Sequence, residues 1–230
     1  MFYPPKSLFN LLLRCAELRD LQCGRALHAH ITKIGSWADI FLSNSIVNMY
    51  AKCQHLGQAQ LAFDEMRQRD VVSWNSLINA FSQQGPHDSA TVLDLFKRMR
   101  AECGIDVLPN AFTFAGVFTA AASLSSGGRE AHSVAIKTGN CDDVFAGSSL
   151  LNMYCKLGLV SEARKVFDRM WERNSVSWAA MISGYAVERS GAEAFELFKL
   201  MVEEGECRLN VFVITSVLCA LSLPEFLKMG

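Results

Sequence analysis

The residues of this chain best equipped for chemistry make directional hydrogen bonds from unusual places. Asn44 and Asn75 fall inside apolar helical patterns, where Asn is a poor helix former; Ser148 sits at a matching place later on. Asp70, Asn110, Asp143, Asn174 and Asn210 each stand just ahead of a helical run, where Asp and Asn act as caps worth about 1 kcal/mol without any ligand. An amide donates and accepts, a carboxylate accepts, and a hydroxyl does either. Such a set is suited to directional hydrogen bonding. Nothing in it suggests bond-making chemistry: the eight cysteines form no Cys-x-x-Cys pair or Cys/His cluster, and no P-loop or dinucleotide-type glycine pattern occurs. No cofactor or metal is called for, and an enzyme is the weakest expectation. The cysteines are expected to be reduced structural thiols, several of them inside apolar stripes. His28 and His132 are expected to pack or face solvent, and Trp74 and Trp178 to be core.

The elements that position these residues repeat. Asn48-Met49-Tyr50 returns as Asn152-Met153-Tyr154, Phe63-Asp64 as Phe167-Asp168, and Ser73-Trp74 as Ser177-Trp178, each 104 residues on. A fixed spacing over that distance marks stacked units, each too small to bury its own apolar face. Leu42, Ile46, Met49 and Tyr50 fall on one helical face. Leu56, Ala59, Phe63 and Met66 form a second stripe, and Trp74, Ile78 and Phe81 open a third, ended by Gly85-Pro86. No stretch alternates with period two, so the expected class is all-α with about 13 helices.

The pattern divides into helix pairs at 5–39, 40–70, 71–110, 111–143, 144–174 and 175–210, with a partial unit at 211–230. Three types alternate. The first and fourth carry Gly-Arg-x-x-His (24–28 and 128–132), whose small residues suit close helix packing. The second and fifth end in Phe-Asp-x-Met, the third and sixth in Leu-Phe-Lys-x-Met. The final unit stops half-way, so the chain is expected to be a piece of a longer array or a truncated product, with the face of Val213, Val217 and Leu218 short of cover.

Composition sets outer bounds. Half the residues are apolar and a fifth are charged, enough for a sizeable core. No apolar run approaches the ~20 residues of a membrane span, so no membrane partner is expected. The first residues show neither a signal-peptide layout nor an Arg/Ser-rich presequence. A net charge of −1 argues against indiscriminate polyanion binding, so no DNA partner is expected.

Two-helix units of this length suggest tetratricopeptide or pentatricopeptide repeats. A tetratricopeptide unit wants Trp-x-x-Leu-Gly-x-x-Tyr in its first helix; here the tryptophans sit in Val-Ser-Trp-Asn-Ser-Leu-Ile (72–78) and Val-Ser-Trp-Ala-Ala-Met-Ile (176–182). With Asn-Met-Tyr-Ala-Lys-Cys (48–53) and Gly-Arg-Ala-Leu-His-Ala-His (24–30), the chain resembles pentatricopeptide (PPR) repeats of the plant PLS subclass, whose long, short and standard units alternate. The resemblance implies a right-handed α-solenoid of helix-turn-helix repeats, one PPR array over 1–230, that binds single-stranded RNA in a mitochondrion or chloroplast. Site recognition for C-to-U RNA editing or another RNA modification or processing step is the implied role. A protein-binding tetratricopeptide-like scaffold is the alternative.

The resemblance also assigns residues. In such units the fifth and last residues face a base edge, one base per repeat, and an apolar second residue packs on the base plane. That gives Asn44 with Asp70 beside Phe41, Asn75 with Asn110 beside Val72, and Ser148 with Asn174 beside Phe145. Lys52 and Lys156 match phosphate contacts, although cations at helix ends are mildly favoured anyway. Phe9, Ala115 and Ala179 hold other fifth positions and cannot hydrogen-bond a base. The pairings resemble readers of uracil, a pyrimidine and adenine, for a core of 5′-U-pyrimidine-any-A-3′. The zinc deaminase that some members carry needs His-x-Glu and Cys-x-x-Cys. Neither occurs, so a deaminase would come from editing-complex partners in trans or from a region beyond this sequence.

Overall fold

A computed structural model describes residues 5–102, 107–124, 127–205 and 211–221. Among them are thirteen α-helices and no strand. Two compact units are distinguished, 1–109 and 110–230.

The first unit contains α1 (Pro5–Leu18), α2 (Leu21–Lys33), α3 (Ile40–Lys52), α4 (Leu56–Asp64), α5 (Val71–Ser82) and α6 (Ser89–Glu102). Its first helices lie side by side, α1 on α3 and α3 on α5, while α2 and α4 each pack on their own pair's first helix and on the next. The stripes read from the sequence supply the core: Leu42, Ile46, Met49, Phe63, Trp74 and Ile78 are fully enclosed. Met66 is buried too, although it lies just beyond the end of α4.

The second unit holds α7 (Ala111–Ala121), α8 (Gly128–Lys137), α9 (Val144–Lys156), α10 (Val160–Arg169), α11 (Ser175–Val187), α12 (Gly191–Glu204) and α13 (Val211–Leu221). Here α7, α9, α11 and α13 pack in succession. Val213 and Val217 are buried, so most of the face expected to lack cover has it; of the three residues named, Leu218 is the exposed one. Packing of α13 against α11 and α12 provides that cover.

The two units are built alike. Phe63 meets Trp74 edge-to-face with centroids 4.8 Å apart, and Phe167 meets Trp178 at the same separation. Arg69 lies over the Phe63 ring and donates to its carbonyl at 3.0 Å, as Arg173 does with Phe167 at 3.3 Å. The glycines of Gly-Arg-x-x-His are packing positions. A Cβ at Gly24 would collide with Met49, and one at Gly128 with Met153.

Helix starts follow the cap residues. Asp39, Asp70, Asn110, Asp143 and Asn174 all cap, through side-chain oxygens that accept first-turn amides. Capping boxes pair Asp70 with Ser73, Asn110 with Thr113 and Asn174 with Ser177, satisfying two amides that a helix start otherwise leaves open. Asn210 and the start of the second helix expected after 221 lie outside the described residues.

Candidate functional site

Two sequence-expected pairs, Asn44 with Asp70 and Ser148 with Asn174, are in direct contact within their units. Asn44 sits on the second turn of α3, while Asp70 caps α5, so helix packing alone decides that they meet. Asn44 Nδ2 donates to Asp70 Oδ1 at 3.2 Å. The same carboxylate oxygen accepts the Ser73 amide at 2.8 Å. The Ser73 hydroxyl lies 2.6 Å from Asn44 Oδ1 and 2.9 Å from Asp70 Oδ1; its one proton can serve either acceptor. Burial pushes the Asp70 carboxyl up, but bonds from the Ser73 amide and hydroxyl, the Asn44 amide and the Val72 amide outweigh it and hold Asp70 below its ordinary value.

Asn44 is thus a buried residue that ties α3 to the cap of α5, which explains Asn in mid-helix without any ligand. Its amide has a second N–H beyond the one given to Asp70. The hydrogen bonds described to Asp70 from side chains land on Oδ1.

In the second unit Ser148, also buried, donates to Asn174 Oδ1 at 3.2 Å. That oxygen also accepts the amides of Val176 at 3.0 Å and Ser177 at 2.9 Å. The cap oxygen is consumed by the fold, and the Asn174 Nδ2 group is the donor pair that the described bonds leave over. Of the remaining pair, Asn110 accepts from Thr113 through its cap oxygen at 3.2 Å. Asn75 lies half-buried on α5 of the first unit, while Asn110 opens the second.

Beside these polar groups stands an apolar one with no place in the core. Phe41 is 72% exposed, Val72 53% and Phe145 61%. A single exposed apolar residue needs no explanation, but this one recurs. The second residues of α7, α11 and α13, Phe112, Val176 and Phe212, are exposed as well. Phe112 and Phe145 face each other with centroids 6.0 Å apart and planes tilted by 37°. Sequence reasoning named three of the row; the position within the unit was the signal for the rest.

Lys52 and Lys156 are exposed last residues of α3 and α9. Lys52 borders a small polar cleft with Arg19, Asn48, Ser76 and Asn79. Sequence reasoning also missed a bond from each Gly-Arg-x-x-His motif to the unit that follows it. His28 Nδ1 and the Tyr50 hydroxyl are 3.0 Å apart, and His132 and Tyr154 are 2.7 Å apart. Both halves were visible as repeated motifs, but the link between them was not. Burial holds His28 below its ordinary value against Glu65; burial, with Arg169 and against Glu162, does the same to His132. The expectation that Trp74 and Trp178 are core holds, both being enclosed.

Comparison with known proteins fits this geometry. The family model described as "PPR repeat" matches residues 41–71, 72–103, 148–175 and 176–206, together more than half of the chain. Its units begin one residue later than the helix-pair boundaries in the first two matches. A pentatricopeptide repeat-containing protein of Arabidopsis thaliana is 41% identical over 97% of this chain and 31% of its own length. One named as mitochondrial is 40% identical over 98% of this chain and 35% of its length, and one named as chloroplastic is 37% identical over 97% and 32%. The chain therefore spans about a third of the length of these curated relatives. Among solved structures, the maize pentatricopeptide repeat protein PPR10 matches with TM-score 0.72 at 20% identity, over 99% of this chain and 33% of that one. PPR10 in complex with an 18-nt psaJ RNA element matches equally well, TM-score 0.72 at 21% identity, over 100% and 35%. The fold class is accordingly all-α, a right-handed α-solenoid of helix-turn-helix repeats. With the repeat pattern, the family-model match and relatives of this identity in agreement, the chain belongs to the pentatricopeptide repeat family.

Proposed function

We propose that this chain is a sequence-selective binder of single-stranded RNA, acting in a plant mitochondrion or chloroplast, with its repeats over 1–230 serving as one reading array. The observation that carries this is the recurring trio: a fifth-position side chain, a last-position side chain bonded to it, and an exposed apolar side chain one turn away. In the first unit the trio is Asn44, Asp70 and Phe41 (Asn44 to Asp70, 3.2 Å). In the second it is Ser148, Asn174 and Phe145 (Ser148 to Asn174, 3.2 Å). A base stacked on Phe41 or Phe145 would gain about 1–3 kcal/mol, while its edge meets the leftover groups of the pair. Asn75 with Asn110 beside Val72, matched by position in the repeat alone, is proposed as a third reader. Lys52 and Lys156 are the proposed phosphate contacts. PPR10, of the same fold, is solved with RNA, which supports the reading.

The finer proposal is site recognition for C-to-U editing or another processing step, with the deaminase supplied by a partner or by a region beyond this sequence. Gel-shift assays with pooled single-stranded RNA test the binding. Retention that is selective and only weakly salt-dependent is expected, because few phosphates are contacted. No retention even at low salt would favour a peptide-binding scaffold instead. Transcript sequencing after gene disruption tests the role: loss of C-to-U conversion at particular sites is expected, and unchanged editing with altered transcript ends would point to processing.

A further inference from the structure

The two units differ sharply at one place. In the first, a short 3-10 turn (Ser36–Ala38) sits between α2 and α3 and carries Trp37. The Trp37 ring stacks on His28, centroids 4.8 Å apart and planes 25° apart, and its Nε1–H donates to the Glu65 carbonyl at 3.3 Å. The Ser43 hydroxyl donates to the Trp37 carbonyl at 2.8 Å and pins the turn. One repeat period later, Trp37 is replaced by Cys141 and Ser43 by Gly147. His132 keeps its tyrosine partner at 2.7 Å, yet a cavity of about 380 Å³ stands where the first unit places its indole. His132, Ile136, Cys141, Val166 and Arg169 line it. Arg169 is the counterpart of Glu65, whose carbonyl takes the indole N–H. The helices agree: α8 packs on α7 and far less on α9 than α2 does on α3.

We propose that this cavity binds a flat heteroaromatic ring bearing a ring N–H, of the indole class, stacked on His132 as Trp37 is stacked on His28. The first unit shows which occupant this framework accepts. The volume lies in the range of small-ligand sites. The rim carries Asp142 and Glu162 against Lys165 and Arg169, with Lys165 already bonded to Glu162 at 2.8 Å, so a neutral ring matches better than an ion. Met170 also borders the cavity, and a soft thioether is a favourable neighbour for an aromatic ring.

The test uses the full chain with indole and, in parallel, N-acetyltryptophanamide. A ligand of about nine non-hydrogen atoms should bind with a dissociation constant on the order of a millimolar, which titration calorimetry at high ligand concentration can read. Indole should also slow iodoacetamide labelling of Cys141 at least about threefold while leaving the exposed Cys23 unchanged. Cys141→Trp should supply the ring internally and weaken indole binding at least about tenfold; His132→Ala, which needs no new bulk, should weaken it at least about fivefold. Binding of both compounds would mean that the mouth admits a ring carried on a peptide, and binding of indole alone that it takes a free heterocycle. Absence of saturable binding together with unchanged Cys141 labelling would overturn the proposal, as would undiminished indole binding in His132→Ala.

Discussion

Asn44 with Asp70 and Ser148 with Asn174 occupy the same places in two repeats of the same type, but the two sites expose different chemistry. In the first, the longer Asn44 side chain reaches both the carboxylate of Asp70 and the hydroxyl of Ser73, forming a three-residue network around a negative charge. In the second, Ser148 reaches only as far as Asn174 Oδ1 among the bonds described, and Ser177 turns its hydroxyl to the Asn174 backbone carbonyl at 2.9 Å. The scaffold is common to both, down to the Phe–Trp contact at 4.8 Å. What varies is which hydrogen-bonding groups the fold consumes and which it leaves over: an acidic acceptor beside an amide donor in one site, a neutral amide in the other. A repeat framework can therefore hold its helices with the same side chains that differentiate its sites.

The largest expected effect concerns the shared part. Trp74→Ala and Trp178→Ala should each cost about 3–5 kcal/mol, and by similar amounts, in urea unfolding. A large difference between them would show that the two cores are not equivalent. Next comes the network. Ser73→Ala removes a cap-box hydroxyl and leaves buried Asn44 Oδ1 without its donor, a loss of about 2–3 kcal/mol. Ser177→Ala removes the cap-box contribution alone, about 1 kcal/mol. Equal losses would mean that Asn44 does not depend on Ser73.

Protonation separates the sites further. The Asp70 carboxyl is held below its ordinary value of 3.8 in the folded chain, so the unfolded chain binds more protons between the two values. Its stabilisation is complete above pH 3.8 and is lost as pH falls through the folded value. Asn174 has no such dependence, and Asp70→Asn should flatten the melting-temperature profile below pH 3.8. His28 and His132, both held below 6.5, act in the same sense in both units. Their contribution is full above pH 6.5 and declines as pH falls below it. The smallest effect belongs to the cations: Lys52→Ala and Lys156→Ala should each weaken RNA binding whatever the sequence and shallow the salt dependence by about 0.7.

How much of this was legible in the sequence follows from which interactions are local. Helices from Pro5 to Leu221 could be read from i, i+4, i+7 stripes and from caps such as Asp70 and Asp143, because those signals lie within a turn or two. The alternation of unit types was visible because the same motifs recur in the same order, most of them at one spacing. The network was not, because Ser73 and Asn44 are far apart in sequence and meet only when α3 packs on α5. Ser73 stood out only as half of the repeated Ser-Trp pair, and its capping box is a finding of the structure. The stack of Trp37 on His28 was hidden for the same reason, and with it the contrast to Cys141. The expected shortage of cover on α13 failed at Val213 and Val217, since a first helix finds much of its burial on the preceding first helix.

The central claim is that the pair formed by Asn44 and Asp70 selects a base, and one measurement addresses it directly: selection from a randomised single-stranded RNA pool with the wild-type chain and with Asn44→Thr. The substitution keeps Asp70 and its bonds to Ser73 while exchanging an amide for a hydroxyl, which turns the pair into the one that family resemblance associates with guanine. Preference at that single position should move from uracil to guanine, by about tenfold if one base contact changes, with the pyrimidine and adenine positions unaltered. The same preferred base before and after the change would contradict the account and leave Asn44 as a residue that only holds α3 to α5.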